Sequence, residues 1–231
     1  MSRNTIYLHH SYSSFAFLLL IFAFVAGLIF FKAISAAFMD VGLSSETVIV
    51  LLIATLIGSF INIPVTRLKA SVPIVTNYEF VSFFGMTYRI PRVEVGEAST
   101  LLAVNVGGAV IPSAISFYLL SKSSASTVLY SAVGVIIVAL ITHFVAKPVK
   151  GVGIATPAFI PPLAAVFVAI ILPSANPNVV AYVAGVLGTL IGADLANLGS
   201  IPELGAPVAS IGGAGTFDGV FLSGIIAVLL L

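Results

Sequence analysis

Cysteine is absent from this sequence. That excludes a disulfide framework, a thiolate zinc site and a cysteine nucleophile. Charge is nearly as scarce: 7% of the 231 residues are Asp, Glu, Lys or Arg, against roughly a quarter in soluble domains. Nine basic and eight acidic residues leave a formal net charge of +1, so there is no basic footprint for nucleic acid. No lysine or arginine follows Lys150. Any carboxylate beyond that point has no permanent cation nearby in sequence.

Apolar residues are abundant, at 60% of the chain with a mean hydropathy of +1.22, which marks a polytopic membrane protein. Apolar segments of about 20 residues can cross a bilayer as helices, because a helix satisfies its own backbone where water is missing. Seven such segments are expected, near residues 13–35, 45–65, 98–120, 125–146, 155–173, 178–201 and 211–231. No shift in composition divides them, so the expected architecture is an all-α transmembrane bundle forming a single domain over residues 1–231. The first segment also has features of a secretory signal, since Arg3 precedes an apolar run ending in "AISAAF". Six further spans favour its retention as the first helix.

Basic residues favour the cytoplasmic side of short loops. Arg3, Arg67, Lys69, Arg89, Arg92, Lys147 and Lys150 fall on one side of the expected topology, and Lys32 and Lys122 on the other. The expectation is a multi-pass protein of the cell membrane with a cytoplasmic N-terminus. Its longest loop, residues 66–97, is rich in β-branched and aromatic residues with Gly85 as a turn, which predicts a small cytoplasmic β-hairpin. An exposed hairpin edge could pair with an extended peptide.

The last third concentrates the acids. "LIGADLANLGSIPELGAPVASIGGAGTFDG", residues 190–219, holds Asp194, Glu203 and Asp218. From Asp218 to Leu231 there are 14 residues, a helical rise of about 21 Å, short of the roughly 30 Å hydrocarbon core. A spanning helix starting near Ser210 or Ile211 therefore draws Asp218 into the bilayer. Asp194 lies at similar depth on the preceding antiparallel helix. Gly192, Ala193, Ala196 and Gly199 flank one aspartate, and Gly212, Gly213, Gly215 and Gly219 flank the other; small residues let helices approach closely in lipid. Charged groups at such depth usually mark a pathway or chemistry. One neutral acid beside one ionised base is the expected resting state near pH 7.

Further polar groups converge on the same layer. Asn105, Gly107, Gly108 and Pro112 in "NVGGAVIPSA" are expected about two turns into the third span, Asn62 and Pro64 end the second, and His143 lies near the end of the fourth. Pro157, Pro161 and Pro162 open the fifth, where they free backbone carbonyls or begin the helix. The candidate catalytic residues are thus Asp194 and Asp218. Candidate substrate- or ion-binding residues are Asn105, Gly107, Gly108, His143, Glu203, Gly213 and Gly215. Each has a plain alternative: an interhelical hydrogen bond for Asn105, an interfacial position for His143, a solvated turn for Glu203, and a bundle-holding pair for the aspartates. No metal and no cofactor is expected.

The runs "NVGGAVIPSAISFYLL", "ADLANLGSI" and "SIGGAGTFDGVFLSG" resemble an uncharacterised prokaryotic membrane family, the domain of unknown function sixteen-fourteen, from about residue 50 onward. That resemblance implies a membrane protein and no particular activity. At the level of mechanism, "GAGTFDG" resembles the Gly-x-Gly-Asp motif of intramembrane aspartyl proteases, the presenilin, signal-peptide-peptidase and prepilin-peptidase group. Here the glycines are Gly213 and Gly215 and the acid, Asp218, follows three positions later. "DLANLGSIP" looks like the aspartate-to-proline stretch of prepilin peptidases with one residue more. The Pro-Ala-Leu element of the presenilin group has approximate counterparts at Pro157–Phe159 and Pro202–Leu204.

Two functions fit this pattern. An intramembrane aspartyl hydrolase would use one aspartate as base and the other as acid. A proton- or sodium-coupled secondary transporter would use the same carboxylates beside glycine-broken helices. The expected partners are the lipid bilayer and either a membrane-embedded peptide or a small ion or solute, with a homo-oligomer allowed.

Overall fold

The computed structural model describes residues 12–83, 86–150, 153–213 and 219–231. Helix α1 (Tyr12–Asp40) is followed by α2 (Ser45–Gly58) and by a long antiparallel hairpin, β1 (Asn62–Phe83) with β2 (Met86–Asn105). A π-helical turn, Val106–Val110, leads into α3 (Ile111–Lys122), and α4 (Ala125–Val145) returns. Short strands β3 (Lys147–Val149) and β4 (Gly153–Ala155) pair antiparallel before α5 (Ile160–Ile171). Helix α6 (Pro177–Thr189) continues as a π segment, Leu190–Asp194, and a 3₁₀ segment, Leu195–Leu204. Strand β5 (Val208–Ile211) and helix α7 (Gly219–Leu229) complete the described chain.

Local chemistry sets the helix starts. Ser44 and Ser124 sit in extended backbone ahead of α2 and α4, and their hydroxyls accept the N–H bonds of Thr47 and Thr127. This is the N-cap arrangement that satisfies otherwise orphaned amides. Proline stands in the first turn of α3, α5 and α6, where its missing N–H costs nothing. Pro161 and Pro162 therefore begin α5.

Among the described residues, three helical stretches are long and apolar enough to cross a membrane: Phe15–Asp40, Ala125–Val145 and Pro177–Leu204. The others, Ser45–Gly58, Val106–Lys122, Ile160–Ile171 and Gly219–Leu229, are shorter. This is a helical membrane protein. Large apolar side chains along α1 face outward, with Phe22 72% exposed, an exposure that costs nothing in lipid.

Helix α6 forms the centre. Residues Val179 to Val186 are buried without interruption, because α3, α4, α5 and α7 all pack against it. Glycine makes that density possible: a Cβ at Gly185 would lie 2.9 Å from the Ser223 carbonyl oxygen and 3.0 Å from the Gly224 α-carbon. One at Gly188 would lie 2.7 Å from Val138 Cβ. Beside this seam Phe38 of α1 meets Tyr182 and Phe221 with ring centroids 5.9 and 6.1 Å apart. Thr189 of α6 and Ser223 of α7 share a buried hydroxyl bond of 3.0 Å, which pins the antiparallel register of the two helices.

At one end of the bundle Asn178 donates to the Asp40 carbonyl and Thr127 meets Ser174. At the other end lie the strands and the π and 3₁₀ segments. Several expected boundaries change there. Residues 98–105 are strand, paired with β1 and in part with β5, so the third span begins as a helix only at Val106. The second helix stops at Gly58, since residues 62–65 belong to β1. The fifth contracts to Ile160–Ile171, with residues 153–155 in β4. Residues 208–211 form β5, so the last described helix starts at Gly219 and not near Ser210 or Ile211. The hairpin is not confined to residues 66–97; it runs from Asn62↔Asn105 to Phe83↔Met86, and Gly85 lies outside the described residues. The fold is accordingly mostly helical with two small sheets, rather than all-α. The strands win at 62–65 and 98–105 because β-branched and small residues there join a continuous ladder, satisfying the backbone as fully as a helix would.

Substituting Gly185 by alanine must push α6 and α7 apart, at a cost of about 1–3 kcal/mol. A lower thermal midpoint in detergent is expected, while Gly199→Ala, with nothing within 4 Å of the new Cβ, leaves the midpoint unchanged.

Candidate functional site

The strand end of the bundle is organised around Asn105. It is the last residue of β2 and caps the π turn, so its extended backbone hands the chain from ladder to helix. The side chain is fully buried. Its Oδ1 accepts from the Gly108 amide at 2.7 Å, and its Nδ2 donates to the Ser59 carbonyl at 2.8 Å and to Asn62 Oδ1 at 3.1 Å. One carboxamide thus joins the end of α2, the start of β1 and the start of the third span. Ser210 Oγ donates to the same Asn62 oxygen at 2.6 Å, bringing in β5.

Strand β5 reaches this place by pairing parallel to β2, from Leu101↔Val208 to Val104↔Ile211. Thr100 Oγ1 holds the Ala206 carbonyl at 2.8 Å and the Leu101 amide holds that of Pro207 at 3.0 Å. The chain then turns through Gly212 and Gly213, at φ +80° and +85°, a region L-residues with a side chain seldom adopt. This turn lies directly on the π turn: a Cβ on Gly108 would overlap the Gly212 carbonyl, and one on Gly107 would overlap the Thr55 carbonyl of α2. The glycines of "NVGG" and "IGG" are therefore two halves of one backbone crossing.

Asp194 closes the arrangement from the third side. It ends the π segment, half-buried, and its Oδ2 accepts the Gly212 amide at 2.6 Å. A backbone N–H given to a carboxylate is among the stronger hydrogen bonds. Where the π segment changes to 3₁₀, Asn197 Nδ2 donates to the carbonyls of Gly192 at 3.0 Å and Ala193 at 2.8 Å, which the change of helix type would otherwise strand.

Asn105, Gly107, Gly108, Gly213 and Asp194 are therefore brought together. His143 is not with them. It lines an apolar groove of about 300 Å³ between α4 and the π segment, with Ala139, Leu140, Ile191, Gly192 and Ala196, and its ring lies 6.0 Å from that of Phe144. Glu203 is exposed on the 3₁₀ segment. Asp218 and Gly215 lie outside the described residues. Among the described residues, no group of three or more acidic or histidine side chains could hold a metal ion. Sequence reading missed Ser210, Asn197 and the Thr189–Ser223 pair. Serine and threonine are too common in membrane helices to stand out; only the pairing of β5 with β2 gives Ser210 its place.

Residues 56–230 match the family described as "Protein of unknown function (DUF1614)". The chain belongs to that family. No curated protein and no solved structure matches it. The region shared with the DUF1614 family begins near the end of α2 and runs through α7, so it takes in every residue of the junction, whereas α1 lies before it.

Within this DUF1614 region, Asn197→Ala leaves two carbonyls without their donor, and each lost bond is worth about 1 kcal/mol. A thermal midpoint several degrees lower is expected; Asn197→Asp, which also lacks the donor, should be no better.

Proposed function

We propose that this membrane protein carries an acidic site, formed by Asp194 and Asp218, in the half of the bilayer next to the hairpin, and that it acts as an intramembrane aspartyl hydrolase. The observation that carries this reading is the Thr189–Ser223 bond between α6 and α7. Five residues lead from Thr189 to Asp194 along one chain, and five lead back from Ser223 to Asp218 along the other (194 − 189 = 5; 223 − 218 = 5). Counted along the sequence, the two aspartates stand equally far from that shared contact.

In this reading one aspartate, which we assign as Asp194, takes a proton from water, and the water oxygen attacks the scissile carbonyl of a membrane-embedded peptide. The protonated Asp218 gives its hydrogen to the carbonyl oxygen. When the tetrahedral species collapses, the C–N bond breaks, the proton held by Asp194 passes to the leaving nitrogen, and a hydroxyl of the tetrahedral carbon returns a proton to Asp218, giving an acid and an amine. The glycines Gly213 and Gly215 ahead of Asp218 resemble the glycine–aspartate motif of intramembrane aspartyl proteases, although the acid stands three positions after the second glycine instead of one.

A second reading rests on the helix interruptions. The π turn at Val106–Val110, which opens the third span after β2, and the π and 3₁₀ segments at Leu190–Leu204, which continue α6, depart from regular helix at the Asp194 end of the bundle, as helices do around ion sites in secondary transporters. On this reading the same carboxylates couple proton or sodium binding to the movement of a small solute.

Separate Asp194→Asn and Asp218→Asn variants distinguish the two in proteoliposomes. Hydrolysis predicts that either change reduces cleavage of a membrane-embedded peptide by at least about a thousandfold, with no ion flux in any form. Coupled transport predicts a pH- or sodium-dependent flux that one variant abolishes. Variants equal to wild type in both assays and altered only in thermal stability would reject both readings. The proposed cytoplasmic N-terminus is checked in the cysteine-free background: Lys122→Cys should react with an impermeant maleimide on intact cells and Lys150→Cys only after permeabilisation.

A further inference from the structure

We infer that Asn105 is a positioning residue for Asp194, acting through the backbone of Gly108 and Gly212 and never through direct contact. The side chain reaches the Gly212 turn by two routes. Through Oδ1 it fixes the Gly108 amide at 2.7 Å, and Gly108 is the surface on which the Gly212 carbonyl rests without room for a Cβ. Through Nδ2 it holds Asn62 at 3.1 Å, whose oxygen receives Ser210 Oγ at 2.6 Å, two residues before Gly212. One route supports the turn from below, and the other anchors the strand that delivers it. Gly212 in turn offers its amide to Asp194 Oδ2 at 2.6 Å.

The rigidity of this relay comes from burial and from the lack of side chains along it. Asn105 is fully buried and its third bond, to the Ser59 carbonyl at 2.8 Å, ties it to α2, so the carboxamide cannot swing without leaving polar groups unpaired. The glycine backbones touch directly, and close-packed contacts transmit displacement. A shift of Asn105 therefore moves the Gly212 amide, and with it a hydrogen-bond partner of Asp194.

As a coupling between Asn105 and the Gly212 amide the inference stands on geometry alone; as a role in hydrolysis it rests on the proposed function above. Two measurements separate these. Hydrogen exchange of the Gly212 amide is followed in full-length protein in nanodiscs for wild type, Asn105→Ala, Asn105→Asp, Ser210→Ala and Asp194→Asn. Exchange at least tenfold faster is expected in Asn105→Ala and Asp194→Asn. Ser210→Ala, which cuts one route, should show a smaller increase, and Asn105→Asp, which retains the acceptor for Gly108, should fall between wild type and Asn105→Ala. Should Asn105→Ala fail to fold, Ser210→Ala and Asn105→Asp decide. Gly212 exchange unchanged in the folded Asn105 and Ser210 variants overturns the coupling. Steady-state cleavage of a membrane-embedded peptide should then show kcat about tenfold lower in Asn105→Ala at unchanged KM, partly restored in Asn105→Asp. If wild type cleaves nothing while Gly212 exchange responds, hydrolysis fails and the coupling stands. If cleavage needs both aspartates but is indifferent to Asn105, the positioning role fails and hydrolysis stands.

Discussion

A backbone amide or carbonyl cut off from water must find its partner within the protein, and this requirement governs the strand end of the bundle. Four stretches stop being regular helix or strand at nearly one level: the end of α2, the start of the third span, the end of α6 and the turn after β5. Each leaves polar groups that the neighbouring stretch repairs. The Ser59 carbonyl and the Gly108 amide both go to Asn105, the carbonyls of Gly192 and Ala193 go to Asn197, and the Gly212 amide goes to Asp194. Three polar side chains thus permit irregular backbone beside the membrane-crossing segments. Without them, uninterrupted helices would be the only economical path.

Packing serves the same end by subtraction. The crossing of the π turn with the Gly212 turn, the seat of Gly107 on α2 and the seat of Gly192 on α4 all depend on a missing Cβ. In lipid, where apolar attraction between helices is weak, such close approach replaces the hydrophobic effect as the source of cohesion. At this level Asp194 accepts a backbone amide, that of Gly212.

Composition alone made the membrane class legible, whereas of the seven expected spans three helical stretches among the described residues are long and apolar enough to cross a membrane. The junction was half legible. "NVGG", "IGG" and Asp194 stand out because glycine pairs and acids are costly in apolar runs unless something requires them. The position of Asn105 was not legible: counted along a helix it stands two turns deep, yet it marks the boundary where ladder becomes helix. Hydropathy cannot distinguish an apolar strand from an apolar helix, so Leu101, Leu102, Ala103 and Val104 read as membrane helix until β5 supplies a partner from 107 residues away (208 − 101 = 107). Nothing local encodes a parallel pairing across that distance. Shortened helices escaped notice for the related reason that a strand or 3₁₀ segment completes the apolar run.

The hairpin has a mechanical corollary. Its two strands stay paired over 20 positions, roughly 65 Å at about 3.3 Å per residue, and β5 braces four positions near the bundle, Leu101 to Val104. Strand β2 then enters the Asn105 cap without an intervening loop. A ribbon of that length, clamped at its root, is a lever whose fulcrum is the glycine crossing. A load applied at its far end would arrive at the Asn105 cap as torque.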